Sequence, residues 1–145
     1  MATTPESLLL EGVAVLEPVL APHGFAFRQG PSGRGSGGHF ASCTFERGDR
    51  VLELHFRHGL GLVTYRVGAA ELDHEHYLRR TGNWANRRYP DFSASPVESF
   101  RALAHDLGAF CTDFLGGTGE QFKAAAAAEA ANPNEFKGFA ALGKQ

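Results

Sequence analysis

Three runs of alternating apolar and polar residues within residues 39–67 constrain the fold more than any other feature of this chain. The runs read HFASCTFE, VLELHFRH and GLVTYRV, and they are separated by turn residues at 47–50 and at 59–60. Alternation with a period of two is typical of β-strands that bury one face. We therefore predict two consecutive β-hairpins, each closed by a two-residue turn.

The two predicted turns set the cross-strand pairs by counting. In the first hairpin the predicted pairs are Phe45–Leu52, Cys43–Leu54, Ala41–Phe56 and His39–His58. In the second hairpin they are Leu52–Val67, Leu54–Tyr65 and Phe56–Val63. Both counts place the same apolar residues of the middle strand on one face, so that face of an antiparallel sheet is predicted to be buried.

The opposite face of the sheet is predicted to be open and mixed in polarity. Its predicted rows are Phe40–Arg57–Leu62, Ser42–His55–Thr64 and Thr44–Glu53–Arg66. Glu53 and Arg66 should form a surface ion pair across the strands. No other segment clearly needs to cover this face, so we hypothesise that it is a binding surface. Its candidate binding residues are Phe40, His55, Arg57, Leu62 and Arg66.

Helical patterns lie on both sides of these strands. Thr4 and Pro5 begin the first predicted helix, and Pro18 is expected to kink it or end it near Glu17. Its apolar stripe is Leu9, Val13, Leu16 and Leu20. After Gly24 a short strand is predicted over residues 25–28. Ser95 and Pro96 begin a second long helix with the stripe Val97, Phe100, Ala104, Leu107, Cys111 and Phe114.

These elements predict an α+β fold. It consists of an N-terminal helix, an antiparallel β-meander of about four strands, and C-terminal helices packed on one sheet face. The 145 residues suit a single domain, with a core over about 5–115 and an Ala-rich helical C-terminal extension over 116–145. The Ala-rich helix, predicted over 122–131, is either an exposed appendage or a homodimer contact.

Composition limits the classes of partner and the cellular location. The formal net charge of −2 provides no basic field, so neither nucleic acid nor a membrane is an expected partner. Glu11 and Glu17 interrupt the N-terminal apolar stretch, so no signal peptide is predicted and a cytoplasmic location is expected. Cys43 and Cys111 are expected to be reduced residues of the core.

A glycine-rich segment and a histidine-rich segment resemble functional motifs but are interpreted structurally. Residues 30–38 read GPSGRGSGG and formally match a dinucleotide-binding pattern, but a strand follows them where that motif needs a helix. We interpret them as a flexible linker. In LDHEHYLRR, Asp73 should cap a short helix that ends near Gly82. His74 and His76 would then point about 200° apart, so we expect surface or capping roles and not one shared metal.

Two alternative kinds of site remain open. His39 and His58 should face each other at one end of the sheet, where a third ligand could complete a zinc site. An enzyme site could instead be assembled from scattered residues such as His74, Glu75 and Tyr77. Ser42 beside His55 is interpreted as an ordinary polar cross-strand pair, because no oxyanion-binding turn accompanies it.

Residues 79–92 form a second candidate protein-binding segment, because arginines there surround two aromatic residues. The candidate residues are Arg79, Arg80, Trp84, Arg87, Arg88 and Tyr89. Arginine beside exposed aromatic rings is common where proteins bind one another. The alternative is a long loop that wraps the core and buries Trp84 and Phe92, with its arginines in water.

The stretch LEPVLAPHGFAF, followed by the predicted meander, resembles small bacterial proteins of the domain-of-unknown-function type. The resemblance covers about residues 8–67 and implies a leading helix that ends at Gly-Phe and feeds a sheet, with no activity attached. The plan is also similar in outline to immunity proteins and secretion chaperones. We favour a non-enzymatic protein-binding module. A metal- or small-ligand-binding domain and an enzyme remain as alternative hypotheses.

Overall fold

The computed structural model describes residues 4–35, 38–90 and 95–133. Its α-helices are α1 (Pro5–Leu20), α2 (His74–Arg80), α3 (Pro96–Phe110), α4 (Thr112–Leu115) and α5 (Glu120–Ala131). Its strands are β1 (Ala26–Gly35), β2 (Gly38–Arg47), β3 (Arg50–Phe56), β4 (Leu60–Val67) and β5 (Ala70–Asp73). Short 3-10 turns lie at Ala21–His23 and Trp84–Asn86.

The five strands form one antiparallel meander in the order β1-β2-β3-β4-β5. The α+β prediction is confirmed, with β5 added to the about four strands expected. Every helix from α1 to α5 contributes side chains to the same buried core as the sheet. None of the helices among the described residues is long and apolar enough to cross a membrane.

Helix α1 begins as predicted and ends later than predicted. The Thr4 hydroxyl accepts a hydrogen bond from the Ser7 backbone N–H, which caps the helix. The helix nevertheless continues through Pro18 to Leu20, so the predicted end near Glu17 is wrong. Pro18 and Ala14 both lie on the exposed side, where water can solvate the Ala14 carbonyl that Pro18 cannot bond. The buried Leu20 side chain holds the last turn against the core.

The glycine-rich segment is mostly a strand. Residues 30–35 continue β1 and pair with β2, so the predictions of a strand ending at residue 28 and of a flexible linker are wrong for this part of the chain. A register irregularity between Gln29 and Ser32 places Pro31 outside the regular ladder, where its missing N–H costs little. A Cβ at Gly30 would lie 2.8 Å from the Ser42 hydroxyl, so this close contact favours glycine.

The first predicted hairpin register is confirmed from Phe45–Leu52 to Ala41–Phe56, but not for His39–His58, and the second register is wrong by two residues. Strands β2 and β3 pair Phe45 with Leu52, and the other apolar pairs follow as expected. In the second hairpin, however, Leu52 faces Tyr65 instead of Val67. The turn after β3 contains three residues, 57–59, instead of the two assumed. A shift of two residues keeps each side chain on its predicted face, so Tyr65 and Val67 are still buried.

The core lies between the inner sheet face and the helices. Phe56 of β3 stacks on Phe100 of α3 with ring centroids 6.0 Å apart. Helix α1 approaches α3 so closely that a Cβ added to Gly12 would lie 2.3 Å from the Phe100 ring. Burial of these large side chains, at about 25 cal/mol per Å² of apolar surface, is the main source of stability.

Two arginines of the sheet bind the C-terminal helices: Arg47 of β2 donates to the Leu115 carbonyl at 2.9 Å, and the buried Arg50 makes three such bonds. Arg50 of β3 donates hydrogen bonds to the backbone carbonyls of Asp113, Phe114 and Gly117, at 2.8, 2.8 and 2.6 Å. Phe122 of α5 is fully buried against the core. The first turns of the Ala-rich helix are therefore packed on the domain. The rest of the predicted extension, from residue 134, lies outside the described residues.

Candidate functional site

The candidate site includes the junction where strand β5 ends and helix α2 begins. The Asp73 carboxylate accepts a hydrogen bond from the His76 backbone N–H at 2.8 Å, so the predicted N-cap is confirmed. His76 also contacts Asp73 through its ring and lies 3.7 Å from Glu129. His74 is only 4% exposed, so the expected surface or capping role is wrong for this residue. The first residue of a helix can turn inward while its N-cap stays at the surface.

His74 is the centre of a buried hydrogen-bond chain. The Tyr65 hydroxyl lies 2.7 Å from His74 Nδ1, and Asp106 Oδ2 lies 3.0 Å from His74 Nε2. The Cys111 thiol lies 3.7 Å from the Tyr65 oxygen. An ionised carboxylate can only accept, so His74 donates from Nε2 and, in the neutral ring, Nδ1 accepts from Tyr65. The chain thus runs Cys111 to Tyr65 to His74 to Asp106, with every donor satisfied.

Asp106 is the acceptor for four separate groups although its side chain is fully buried. Besides His74, it accepts from the backbone N–H groups of Arg88 and Tyr89 and lies 2.9 Å from His105 Nδ1. Burial alone would raise the pKa of Asp106, but the hydrogen bonds from these four donors hold that pKa below its ordinary value of 3.8. The carboxylate is therefore ionised at neutral pH and fixes the segment that follows Arg87.

The network offers no activated nucleophile. Burial raises the pKa of Cys111 to about 12 and raises that of Tyr65 well above its ordinary value. Burial also raises the pKa of Cys43 to about 12, with a further contribution from Glu53. Both cysteines are free and buried, as predicted. Thiols and phenols with such pKa values are protonated at neutral pH and do not attack substrates.

The residues of the enzyme hypothesis do not converge on one cavity. His74 and Glu75 line a hollow beside β4, but Tyr77 is fully buried in the core and does not line that hollow. Both ring nitrogens of His74 are already engaged by Tyr65 and Asp106. His74 therefore presents no ring nitrogen to a molecule in the hollow. Its two hydrogen bonds hold the first turn of α2 in place.

The outer face of the sheet brings all five of its predicted binding residues into two adjoining groups. Phe40 stacks on His55 with ring centroids 5.4 Å apart, and the Arg57 guanidinium lies 5.7 Å from the centre of the Phe40 ring. His55 then borders a hollow that it shares with Leu62 and Arg66. His55 thus belongs both to the stacked group with Phe40 and Arg57 and to the hollow with Leu62 and Arg66.

Arg66 forms the predicted ion pair with Glu53 at 2.8 Å, and a second pair with Glu71 at 3.1 Å. The pair with Glu53 is diagonal, because Glu53 is directly opposite Thr64 in the observed register. The hydrogen bonds that Arg66 donates to Glu53 and Glu71 raise the pKa of Arg66, although burial opposes this. Such exposed pairs stabilise the fold little, but they hold the charged groups in position.

Leu62 is the residue around which the concave surface is arranged. Its side chain is 61% exposed, and it borders three hollows of about 420, 330 and 190 Å³. The first hollow is lined by Glu53, His55, Leu62, Thr64, Arg66 and Glu71. The second is lined by Leu62, Thr64, Glu71, Leu72, Asp73, His76 and Glu129. The third is lined by Gly61, Leu62, Val63, Asp73, His74, Glu75, Trp84, Tyr89 and Pro90. We call these three hollows together the Leu62 surface.

The predicted arginine–aromatic segment is largely engaged with the rest of the chain. The guanidinium groups of Arg79 and Arg87 lie 4.7 and 3.8 Å from the centre of the half-buried Trp84 ring. The Arg80 side chain is 7% exposed and binds Glu129 at 3.0 Å. This packing supports the alternative of a segment that wraps the core, but the expectation that its arginines lie in water is wrong for Arg79 and Arg80.

The other two aromatic or basic residues of this segment differ in exposure. Tyr89 is buried, and its hydroxyl donates to the backbone carbonyls of Leu60 and Gly61. Arg88 is exposed while its backbone N–H bonds Asp106. Phe92, which was expected to be buried with Trp84, lies outside the described residues. Tyr89 therefore contributes a wall of the third hollow and not a free aromatic surface.

The predicted facing of His39 and His58 is wrong. His39 pairs with Arg34 of β1, and β3 ends at Phe56, so His58 lies in the following turn. The same three-residue turn that shifts the second hairpin removes His58 from the ladder. Across residues 4–35, 38–90 and 95–133, no three histidine, cysteine, aspartate or glutamate side chains are grouped to hold a metal ion.

The reading of Ser42 and His55 as polar neighbours agrees with their geometry. The two residues are directly opposite each other, as predicted. The Ser42 hydroxyl, however, donates to the Pro31 carbonyl at 2.6 Å, and the His55 ring stacks on Phe40. The hydroxyl proton is therefore used to hold β1 against β2.

Sequence reasoning missed the roles of Asp106 and Tyr65 in the buried network. A signal for Asp106 exists in the sequence, since it lies three residues after Leu103 and directly before Leu107, on the buried side of α3. A carboxylate on an apolar helix face requires buried donors. Apart from the neighbouring His105, the donors come from two distant segments, at His74 and at Arg88–Tyr89, and the sequence alone does not identify them.

Comparison with known proteins adds no functional information. No family model, no curated protein and no solved structure matches this chain.

Proposed function

We propose that this protein is a non-enzymatic protein-binding module and that the Leu62 surface on the outer sheet face holds the partner. The observation that carries the proposal is the exposure of Leu62, a large apolar side chain that stands 61% exposed among three hollows. Protein interfaces commonly have an apolar centre and a polar rim, and the polar residues around Leu62 match that arrangement.

The packing of the domain supports this choice of face. The helices bury the inner face, where Leu52, Leu54 and Tyr65 are fully buried. On the outer side, Thr64 and Arg66 of β4 and Glu71 of β5 line a hollow. Because the inner face is packed against the helices, the sheet is a preorganised surface. Binding a partner would therefore cost little conformational entropy in the sheet.

The test compares the two most exposed large apolar residues of the described chain. Leu62→Glu places a charge at the centre of the proposed surface, whereas Leu10→Glu makes the same change on α1, where Leu10 is 48% exposed. Both variants should keep the fold, because neither side chain belongs to the core. Each is used with wild type as bait in lysate of the native host. Any captured protein is then purified and titrated against all three.

The expected result is a 1:1 complex with wild type and Leu10→Glu that weakens at least about tenfold with Leu62→Glu, as loss of a central contact would require. Equal affinity for Leu62→Glu and wild type would refute the proposed surface. Sedimentation of the purified protein alone tests whether a second copy occupies the surface. A dimer that is disrupted by Leu62→Glu and not by Leu10→Glu would replace the proposal with self-association.

A further inference from the structure

The Leu62 surface has a one-sided charge. Five carboxylates line its hollows, and the only lysine or arginine among the lining residues is Arg66. The carboxylates are Glu53, Glu71, Asp73, Glu75 and Glu129. One belongs to β3, two belong to β5, one to the first turn of α2 and one to α5. The fold brings these four elements together around Leu62. The protein as a whole carries a formal charge of only −2, so this excess is local.

The cations that bind two of these carboxylates lie behind them and not in the hollows. Arg79 binds Glu75 at 2.8 Å and Arg80 binds Glu129 at 3.0 Å, but the two arginine side chains are only 19% and 7% exposed. An ionised carboxylate has about four acceptor positions. Glu75 is 46% exposed and Glu71 is 57% exposed, so each keeps accessible acceptor positions toward the solvent, and Glu71 shares its carboxylate with Arg66 in the same hollow.

We propose that the partner presents a basic surface, in which an apolar side chain contacts Leu62 and lysine or arginine side chains on either side meet Glu71 and Glu75. This inference rests on the proposed function and adds the chemistry of the partner. Opposite charges across an interface increase the association rate and select among partners. A second copy of this chain is disfavoured, because a two-fold contact through this surface would place carboxylates against carboxylates. Nucleic acid and anionic membranes are disfavoured for the same reason.

The shape of the third hollow fits one inserted side chain. Its volume of about 190 Å³ is below the 300–1,000 Å³ that is typical of sites for whole small molecules. Its walls include Trp84 and Tyr89, and Asp73 and Glu75 are its carboxylates. Aromatic and carboxylate side chains in one hollow suit the alkyl stem and charged end of a lysine or arginine.

The test uses three synthetic pentapeptides, each with a central leucine that is flanked on both sides by a pair of lysines, a pair of glutamines or a pair of glutamates. Each is titrated into uniformly ¹⁵N-labelled full chain, and amide chemical shifts are followed. We expect the lysine peptide to shift resonances of residues 62–66, 71–76 and 129, and its apparent Kd to rise with added salt. We expect the glutamate peptide to leave the same resonances unchanged.

A pair of matched double variants separates this surface from general attraction to an acidic protein. Glu71→Gln/Glu75→Gln removes two carboxylates at the Leu62 surface, and Glu11→Gln/Glu17→Gln removes two exposed carboxylates on α1. The first variant should weaken the lysine peptide about fivefold or more, and the second by less than about twofold. Thermal unfolding of both variants verifies that each remains folded.

Each outcome decides between the two proposals. If the lysine and glutamine peptides bind the Leu62 surface equally, the basic-partner inference is wrong while an apolar docking surface survives. If the lysine peptide shifts α1 instead, if the two double variants weaken it equally, or if it shifts no resonance, the inference is also overturned. The proposed function is judged separately by Leu62→Glu and Leu10→Glu with the captured partner. If Glu71→Gln/Glu75→Gln leaves the affinity for the captured partner unchanged, the proposed function stands and the basic chemistry of the partner is refuted.

Discussion

Replacing Asp106 by asparagine tests the buried network with one atom changed. Asp106 Oδ2 accepts from His74 Nε2 at 3.0 Å and from the Tyr89 N–H at 2.9 Å, and Oδ1 accepts from the Arg88 N–H at 2.9 Å and contacts the His105 ring. Asparagine keeps the shape and one oxygen but turns the other position into a donor. Whichever oxygen is replaced, two donors then face an NH2 group.

The magnitude follows from those lost acceptors. A buried donor left without an acceptor costs about 1–3 kcal/mol, and breaking a buried charged network by removing one partner costs about 3–5 kcal/mol. We therefore expect Asp106→Asn to lower the free energy of unfolding by about 3–5 kcal/mol at neutral pH. This is a large share of the roughly 5–15 kcal/mol that an ordinary domain possesses. A control is Asp49→Asn, whose side chain is 61% exposed, and which should change stability by less than about 0.5 kcal/mol.

Urea denaturation across pH makes the test specific to the charge. Because the folded pKa of Asp106 is lowered from 3.8, its stabilisation is complete above that ordinary value and is lost as pH falls toward the folded value. The difference between wild type and Asp106→Asn should thus be constant near neutral pH and shrink below about pH 4. A loss under about 1 kcal/mol at pH 7, or a difference that does not shrink in acid, would refute this account of the network.

Two further substitutions test the packing of the helices by chemical denaturation. Gly12→Ala should destabilise by about 1–3 kcal/mol, because its Cβ would lie 2.3 Å from Phe100, whereas Gly108→Ala meets nothing within 4 Å and should stabilise by up to about 1 kcal/mol. Equal effects of the two changes would contradict the close approach of α1 and α3. Arg50→Met keeps the alkyl stem but removes the donor that Arg50 provides to the carbonyls of Phe114 and Gly117. A loss of about 3 kcal/mol or more is expected, together with faster amide exchange in α5, and unchanged exchange there would show that Arg50 does not hold that helix.

The face assignment of the sheet followed from the sequence more securely than its register. Alternation with a period of two determines which side chains share a face, and any even register error preserves that assignment. Tyr65 and Leu62 therefore lie on the predicted inner and outer faces although the second hairpin is shifted by two residues. The shift depends on the number of residues in the turn at 57–59, and a Gly59-Leu60 pair does not specify that number without its three-dimensional context.

The inward position of His74 was not predictable from local pattern. Histidine at the first residue of a helix usually faces water, and LDHEHYLRR contains nothing to distinguish His74 from His76 in this respect. The difference comes from acceptors and donors that are distant in sequence, namely Tyr65 and Asp106. A single sequence indicates such long-range hydrogen bonds only indirectly, through a polar residue that lies on an otherwise apolar helix face.

The buried network and the proposed binding surface are connected through the first turn of α2. Asp73 lines two hollows of the Leu62 surface, and the next residue, His74, is held from inside by Asp106. Tyr89 forms another wall of the third hollow, and its backbone N–H is bound by the same carboxylate. One interior group thus sets the position of two walls of a surface hollow. This gives a reason for an ionised carboxylate in the core, since the carboxylate gives shape to the surface where the partner is proposed to bind.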